Sequence, residues 1–283
     1  MTYLCPTCRT PLDDARVCAN GHAFEEKDGV LALLDPAFAA QLAAFCEPFE
    51  RMRADRARPL LDPTVYARLP ATPPGHPPHE WRLRRYDLAL LRRLLRQRPQ
   101  QKVLDVGAWN GWLSNGLASE GHLVTAVDYF DDEHDGLRAK KFYTSAWQAV
   151  QMDLLDLPAL GERFDVIVLN RCVQFFPQPA AYVAQAKAQL APGGLLILTG
   201  LEIYRDPRAK AARVARMLHS HRQRYGSDLF LRPTKGYLDF ADKAQLEAQG
   251  VQIKPPWQLL PANLKALLWP ALPRHCYGVY RDV

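Results

Sequence analysis

The spacing of apolar residues divides the chain into stretches of different rhythm. Between residues 36 and 56, Phe38, Leu42, Phe45 and Phe49 recur at the three-to-four-residue interval of an amphipathic helix. The stretch WRLRRYDLALLRRLLRQR, from residue 81, repeats that interval: Leu83, Leu88, Leu91, Leu94 and Leu95 mark an apolar face opposite arginines. Those arginines read as a solvated face or as contacts to an anion. From residue 102 the rhythm changes to short Val-, Leu- and Ile-rich runs separated mostly by helix-like stretches. Strands are predicted at 102–107, 122–128, 148–152, 164–170, 194–200, 251–256 and 275–280. This alternation predicts an α/β fold, a seven-stranded and mostly parallel sheet with helices on both faces. Ligands of such sheets bind beyond the carboxyl ends of the strands, which directs attention to the loops after the first, second and fourth.

Breaks in the pattern suggest the organisation. Residues 57–80 carry prolines at 59, 63, 70, 73, 74, 77 and 78, so a connector is expected there, either a domain boundary or a lid draped over a site. The predicted domains are a metal-bound ribbon at 1–34, a helical and Pro-rich linker or lid at 35–80, and an α/β domain at 81–283. DPRAKAARVARMLHSHRQRYG reads as a basic helix capped by Asp206 with Pro207 in its first turn. Its His219 and His221 are two apart and share no face, so they are not read as a metal pair. LKALLWPALP at 264–273 is expected to pack in the core, with a pocket wall or a dimer patch as the alternatives.

The 283 residues are 48% hydrophobic and 23% charged, an ordinary globular balance with no apolar run long enough for a bilayer span. The N-terminal MTYLCPTC has neither a basic nor an apolar leader segment, so a cytoplasmic protein is expected. A net charge of +6 is compatible with an anionic partner and equally with an enzyme that touches no nucleic acid. Cysteine placement changes the picture more. Three of the six cysteines fall in CPTCRTPLDDARVCANGHAF, where Cys5 and Cys8 form a C-x2-C pair and Cys18 and His22 a C-x3-H pair. Two such knuckles supply four ligands to a tetrahedral Zn²⁺, and Pro6 and Asn20-Gly21 supply turn chemistry. Val17, Phe24, Val30 and Leu31 are candidates for a miniature core. So short a segment needs a metal staple, and four protein ligands make the ion structural. His22 is the weakest ligand; His79 and Cys46 are the alternatives.

The chemistry concentrates in LDVGAWNGWLS. Asp105 ends the first strand, and Gly107, Ala108, Trp109, Asn110 and Gly111 form the turn. Asp128 and Tyr129 follow strand two, Met152, Asp153 and Leu154 strand three, and Asn170 strand four, while Pro192-Gly193-Gly194 precede strand five. Residues 100–200 thereby resemble class I S-adenosylmethionine-dependent methyltransferases, whose loop reads D-x-G-x-G-x-G. The resemblance implies a Rossmann-like domain. It places Asp128 on the cofactor's ribose hydroxyls, Asp153 near the adenine amino group, the Asp105–Gly111 loop along the methionine part, and an antiparallel last strand. Trp109 stands where the family has a glycine. A side chain there is tolerable if φ stays negative and the ring turns away, and Asn110 tolerates an unusual φ. The ring then packs on the linker, lines a substrate pocket or blocks the cofactor. The insertion YFDDEHDGLRAKKFY is a candidate cover for the adenosine.

The first 34 residues also resemble the zinc ribbon of bacterial ribosomal-RNA guanine methyltransferases, including Phe24 after His22; NRCVQFFPQ and the linker depart from them. The leading expectation is methyl transfer to a small-molecule or glycan-type acceptor. The alternatives are a ribosomal RNA base, or a non-catalytic cofactor- or protein-binding module. Asn170, Arg171, Gln174, Glu202 and Tyr204 are candidates near the acceptor; no catalytic residue follows from the sequence.

Overall fold

The computed structural model describes residues 2–282. They fall into two compact units, Met1–Val166 and Ile167–Val283. Among the described residues of the first unit are β1 (Glu26–Lys27), β2 (Val30–Leu33), α1 (Pro36–Asp55), α2 (Pro78–Leu95), β3 (Lys102–Val106), α3 (Trp112–Ala118), β4 (Leu123–Asp128) and β5 (Gln148–Met152). β6 (Phe164–Asn170) runs from the first unit into the second. There follow α4 (Pro179–Lys187), β7 (Leu190–Tyr204), α5 (Arg208–Tyr225), β8 (Leu238–Asp239), α6 (Phe240–Ala248), β9 (Gln252–Lys254), α7 (Leu260–Leu268) and β10 (Pro273–Arg281).

All seven predicted strands are present, and the described residues hold ten in total. The additional ones are β1, β2 and β8. In the first unit the order is β1-β2-β5-β4-β3, parallel throughout except for the β1–β2 hairpin. The N-terminal segment does more than gather its cysteines and His22. Its strand β2 joins β5 in parallel, with Val30 opposite Ala149 and Leu33 opposite Met152. Four residues with both faces covered leave no period-two signal, which is why β2 escaped the pattern. In the second unit β10 runs antiparallel to both β7 and β9, and β8 pairs in parallel with β7. The antiparallel last strand matches the expectation.

The helices follow the apolar rhythm with shifts in detail. α1 starts on the Asp35 cap, whose carboxylate accepts from the Ala37 N–H at 2.9 Å, and buries Phe38, Leu42 and Phe45. α2 buries Trp81, Leu88, Leu90, Leu91 and Leu95, leaving Leu83 and Leu94 half-buried. The Pro-rich connector is packed: Tyr66 is fully buried, its hydroxyl lies within hydrogen-bond distance of the Leu60 and His134 carbonyls, and its ring lies 4.9 Å from that of Phe142. His219 is exposed while His221 is buried, as their spacing required. Among the described residues no helix is long and apolar enough to cross a membrane.

Candidate functional site

In the first unit, β3 and β4 end side by side and deliver Asp105 and Asp128 to the turn before α3. Asp105 is 1% exposed; its Oδ2 accepts from the Ser114 hydroxyl at 2.7 Å, while its Oδ1 is buried without a partner. Burial pushes its carboxyl up to about 7. Gly107 and Ala108 donate their N–H groups to the Val127 carbonyl at 2.9 and 3.1 Å, which ties the turn to β4. Asp128 accepts from the Trp109 N–H at 2.8 Å and the Phe130 N–H at 3.0 Å. Burial raises it to about 6 against those two bonds. Asn110 is fully buried; its Oδ1 accepts from the Trp112 N–H at 3.3 Å and its Nδ2 lacks a partner. Gly111 opens α3 at φ 76°, and a Cβ there would lie 2.4 Å from the Trp147 ring, so both backbone and space demand glycine.

Trp109 corrects one expectation. Its φ is +54°, so the tryptophan itself takes the left-handed conformation at the family's glycine position. Tertiary contacts hold it there. The indole Nε1–H donates to Asp135 Oδ1 at 2.7 Å, and the ring lies 6.0 Å from that of Trp81. The guanidinium groups of Arg53 and Arg84 stand 5.6 and 5.1 Å from the ring centroid. Arg53 also forks onto the almost fully buried Asp135, with Nη2 2.7 Å from Oδ1. Burial raises Asp135, opposed by Arg53 and the indole N–H. The ring thus packs against α2 and, through Arg53, against the linker helix α1, nearest the first of the three readings, and Arg84 is no bystander on a solvated face. Arg53, Trp81, Asp135 and Trp147 were not picked out from the sequence. The one available signal was the acid-rich DDEHDG insertion, in which Asp132 accepts from the His134 and Asp135 N–H groups and turns the chain so that Asp135 is buried.

The remaining cofactor candidates of this unit sit at strand ends. The Tyr129 carbonyl accepts from Gln151 Nε2 at 3.1 Å, and its ring stands edge-on to Phe45. Met152 and Leu154 are buried. Asp153 is half-buried and caps the 3-10 helix Leu154–Leu160 by accepting from the Leu155 N–H. In the second unit, Asn170 donates Nδ2 to the Thr199 hydroxyl at 2.6 Å, and Gln174 donates to the Arg171 carbonyl at 2.7 Å. Glu202 lies 4.0 Å from His275 Nδ1, and burial pushes Tyr204 up to about 12.

The four proposed metal ligands come together as the spacing required. Their ligand atoms lie within 4.8 Å of one another. Cys18 Sγ is 3.3 Å and Cys5 Sγ 3.4 Å from His22 Nδ1, and Cys8 and Cys18 are 3.6 Å apart. Metal–ligand bonds of roughly 2.0–2.3 Å in a tetrahedron produce edges of this size. Each knuckle closes on a backbone bond, Arg9 N–H to the Cys5 carbonyl and Gly21 N–H to the Cys18 carbonyl. The knot is anchored to the α/β part of its own unit by the Leu4 N–H on the Ala159 carbonyl and by Arg9 on Asp156 at 2.6 Å. Val17 and Phe24 stay half-buried, and Tyr3 and Leu12 supply the burial instead.

Residues 79–232, just over half of the chain, match the family model of a methyltransferase domain. The chain belongs to that family. It carries a class I S-adenosylmethionine-dependent methyltransferase domain. A ubiquinone biosynthesis O-methyltransferase of Psychrobacter cryohalolentis is 28% identical over 159 residues, covering 53% of this chain and 57% of the relative. Its counterpart in Xylella fastidiosa is 31% identical over 152 residues, covering 52% and 57%. The chain thus spans a little over half the length of these curated relatives. Phosphoethanolamine N-methyltransferase 2 of Haemonchus contortus, solved with phosphomonomethylethanolamine and S-adenosylhomocysteine, superposes with a TM-score of 0.51 at 16% identity, over 84% of this chain and 59% of that one. At that identity the likeness concerns the fold alone.

Proposed function

We propose that this methyltransferase moves a methyl group from S-adenosylmethionine to a small-molecule acceptor, and that a structural zinc ion ties its N-terminal knot. The observation that carries the cofactor reading is the pair of carboxylates at the ends of β3 and β4. Asp128 holds two backbone N–H groups and retains lone pairs for two ribose hydroxyls. Asp105 Oδ1 and Asn110 Nδ2, an acceptor and a donor buried without partners, fit the ammonium and carboxylate of an amino-acid moiety. Asp153, at the end of β5, suits the adenine amino group. Bound S-adenosylmethionine supplies an activated methyl with a good leaving group, so the protein's share is chiefly positioning.

The names of the relatives, O-methyltransferases of ubiquinone biosynthesis, support a small organic acceptor. Calorimetric titration with S-adenosylmethionine is the first test. Binding to the native chain and its loss in Asp128→Ala are expected; absence of binding to folded protein sinks the cofactor reading. For the acceptor, methyl transfer to small hydroxyl-bearing organic molecules should depend little on salt. A steep fall of RNA binding with added salt, together with RNA methylation, would point to RNA instead. For the knot, purified protein should contain one zinc per chain. A strong chelator should release it and expose Cys5, Cys8 and Cys18 to thiol reagents.

A further inference from the structure

The second unit contains a half-open cavity of about 280 Å³, close to the size at which ligand pockets begin, roughly 300 Å³. Ile203, Phe240, Ile253, Leu264 and Leu267 supply apolar walls, and the polar side chains at its surface are Lys243, Asn263 and Arg274. Two of these are engaged. Lys243 pairs with Glu247 at 2.5 Å. Asn263 donates to the His275 carbonyl at 2.9 Å and accepts from the His275 N–H at 2.7 Å. Arg274, opposite Ile203 on the antiparallel strand, lies over the Phe240 ring at 5.1 Å. Its Nε is buried without a hydrogen-bond partner, and no carboxylate among the described residues pairs with it. An unpaired guanidinium within apolar walls is a receptor for an anion that brings its own apolar surface.

The rim carries the same character. α7 buries only Ala266, and the Asn263 clamp fastens it to β10. Its leucines therefore stay uncovered: Leu264 is 63% and Leu268 74% exposed, next to Trp269 at 57%. The expectation of plain core packing for this stretch is overturned. Exposed apolar residues contiguous with a cavity mark a binding surface.

We propose that this cavity binds a single-chain amphiphilic carboxylate of the fatty-acid class. The carboxylate sits on Arg274, and the alkyl chain runs between the Phe240 wall and α7 toward the Leu264 rim. Charge complementarity selects this occupant over a neutral lipid, and the apolar walls select it over a bare anion.

The test is calorimetric titration of the full chain with decanoate below its micellar concentration, with decanol and acetate as comparisons. Decanoate should bind at least tenfold more tightly than decanol, and acetate should not displace it at hundredfold excess. Arg274→Gln should weaken decanoate at least tenfold and change decanol less than twofold. Leu264→Asp, at an exposed position, should weaken both ligands. Far-ultraviolet circular dichroism and cofactor affinity should match the native chain in both variants. Equal affinity for decanoate and decanol overturns the proposal without recourse to any variant. Displacement by acetate reduces the cavity to a simple anion site and overturns it too. So does failure of the folded chain to bind monomeric decanoate, with self-association through this patch or binding to anionic vesicles then showing what covers it instead.

Discussion

Trp109, after β3 at φ 54°, and Arg171, after β6 at φ 58°, both take the left-handed conformation beyond the carboxyl end of a strand. Such a conformation costs about 1–2 kcal/mol for an ordinary side chain. The first unit holds Trp109 by adding contacts: its N–H reaches Asp128, its indole N–H reaches Asp135, and Trp81, Arg53 and Arg84 surround the ring. The second unit holds Arg171 by removing atoms. Its N–H donates to the Thr199 carbonyl at 3.0 Å, and its side chain lies across Gly200, where a Cβ would stand 2.3 Å from Cγ. The contrast teaches that one local strain has two remedies, a cage of partners or a space kept empty.

Gly200→Ala attacks the empty space and should have the largest effect. Overpacking and the φ of 65° together predict a loss of roughly 2–5 kcal/mol in urea unfolding. Adding Arg171→Ala should restore the packing part; no recovery would mean that Arg171 does not depend on the missing Cβ. Trp109→Ala attacks the cage and should cost about 2–4 kcal/mol, near the lower range for a large aromatic because the ring is only half-buried. Trp109→Gly loses the same ring but relieves the backbone, so it should be about 1 kcal/mol more stable than the alanine variant. Equal melting temperatures for the two would remove strain from the account.

Asp135→Asn sharpens the cage itself. Asparagine still accepts from the indole N–H, yet Arg53 loses its ionic partner, and a loss of about 1–3 kcal/mol is expected. The pH response tests the two carboxylates of the same loop. Asp105 at about 7 and Asp128 at about 6 are raised by burial, so the folded chain holds protons that the unfolded chain releases near pH 4. Their contribution to stability is full below about pH 4 and is lost as pH rises through about 6 to 7. The unliganded protein should therefore melt lower at pH 8 than this pair would allow at pH 5.5, and Asp105→Asn should flatten that slope. Cofactor affinity should move the opposite way, since ribose hydroxyls donate to the ionised Asp128. A slope unchanged by Asp105→Asn would place the titration elsewhere.

The loop proposed to hold the cofactor was legible because its parts are local. Asp105, Gly107, Gly111 and Asp128 are set by the ends of strands whose apolar runs are unmistakable, and the structure gathers them at the ends of β3 and β4. The Cys/His cluster was legible for the same reason: Cys5, Cys8, Cys18 and His22 fall within a stretch short enough for spacing to fix geometry. What escaped depended on distance along the chain. Arg53 and Asp135 are 82 residues apart. Nothing in either neighbourhood marks them as partners of Trp109. β2 was missed because it is short, and α7 was misread because composition cannot tell a buried leucine from one held in water by an asparagine clamp.

The sequence by itself determined the strand–helix alternation, the carboxylates and glycines gathered at the ends of β3 and β4 and the Cys/His cluster, because each follows from periodicity or from spacing of a few residues. Tertiary structure alone decided the left-handed Trp109, the buried Arg53–Asp135 pair around it, the empty place at Gly200 and the uncovered face of α7. Those depend on which surfaces meet once the chain has packed, and a close contact between residues remote in sequence has no local signature to read.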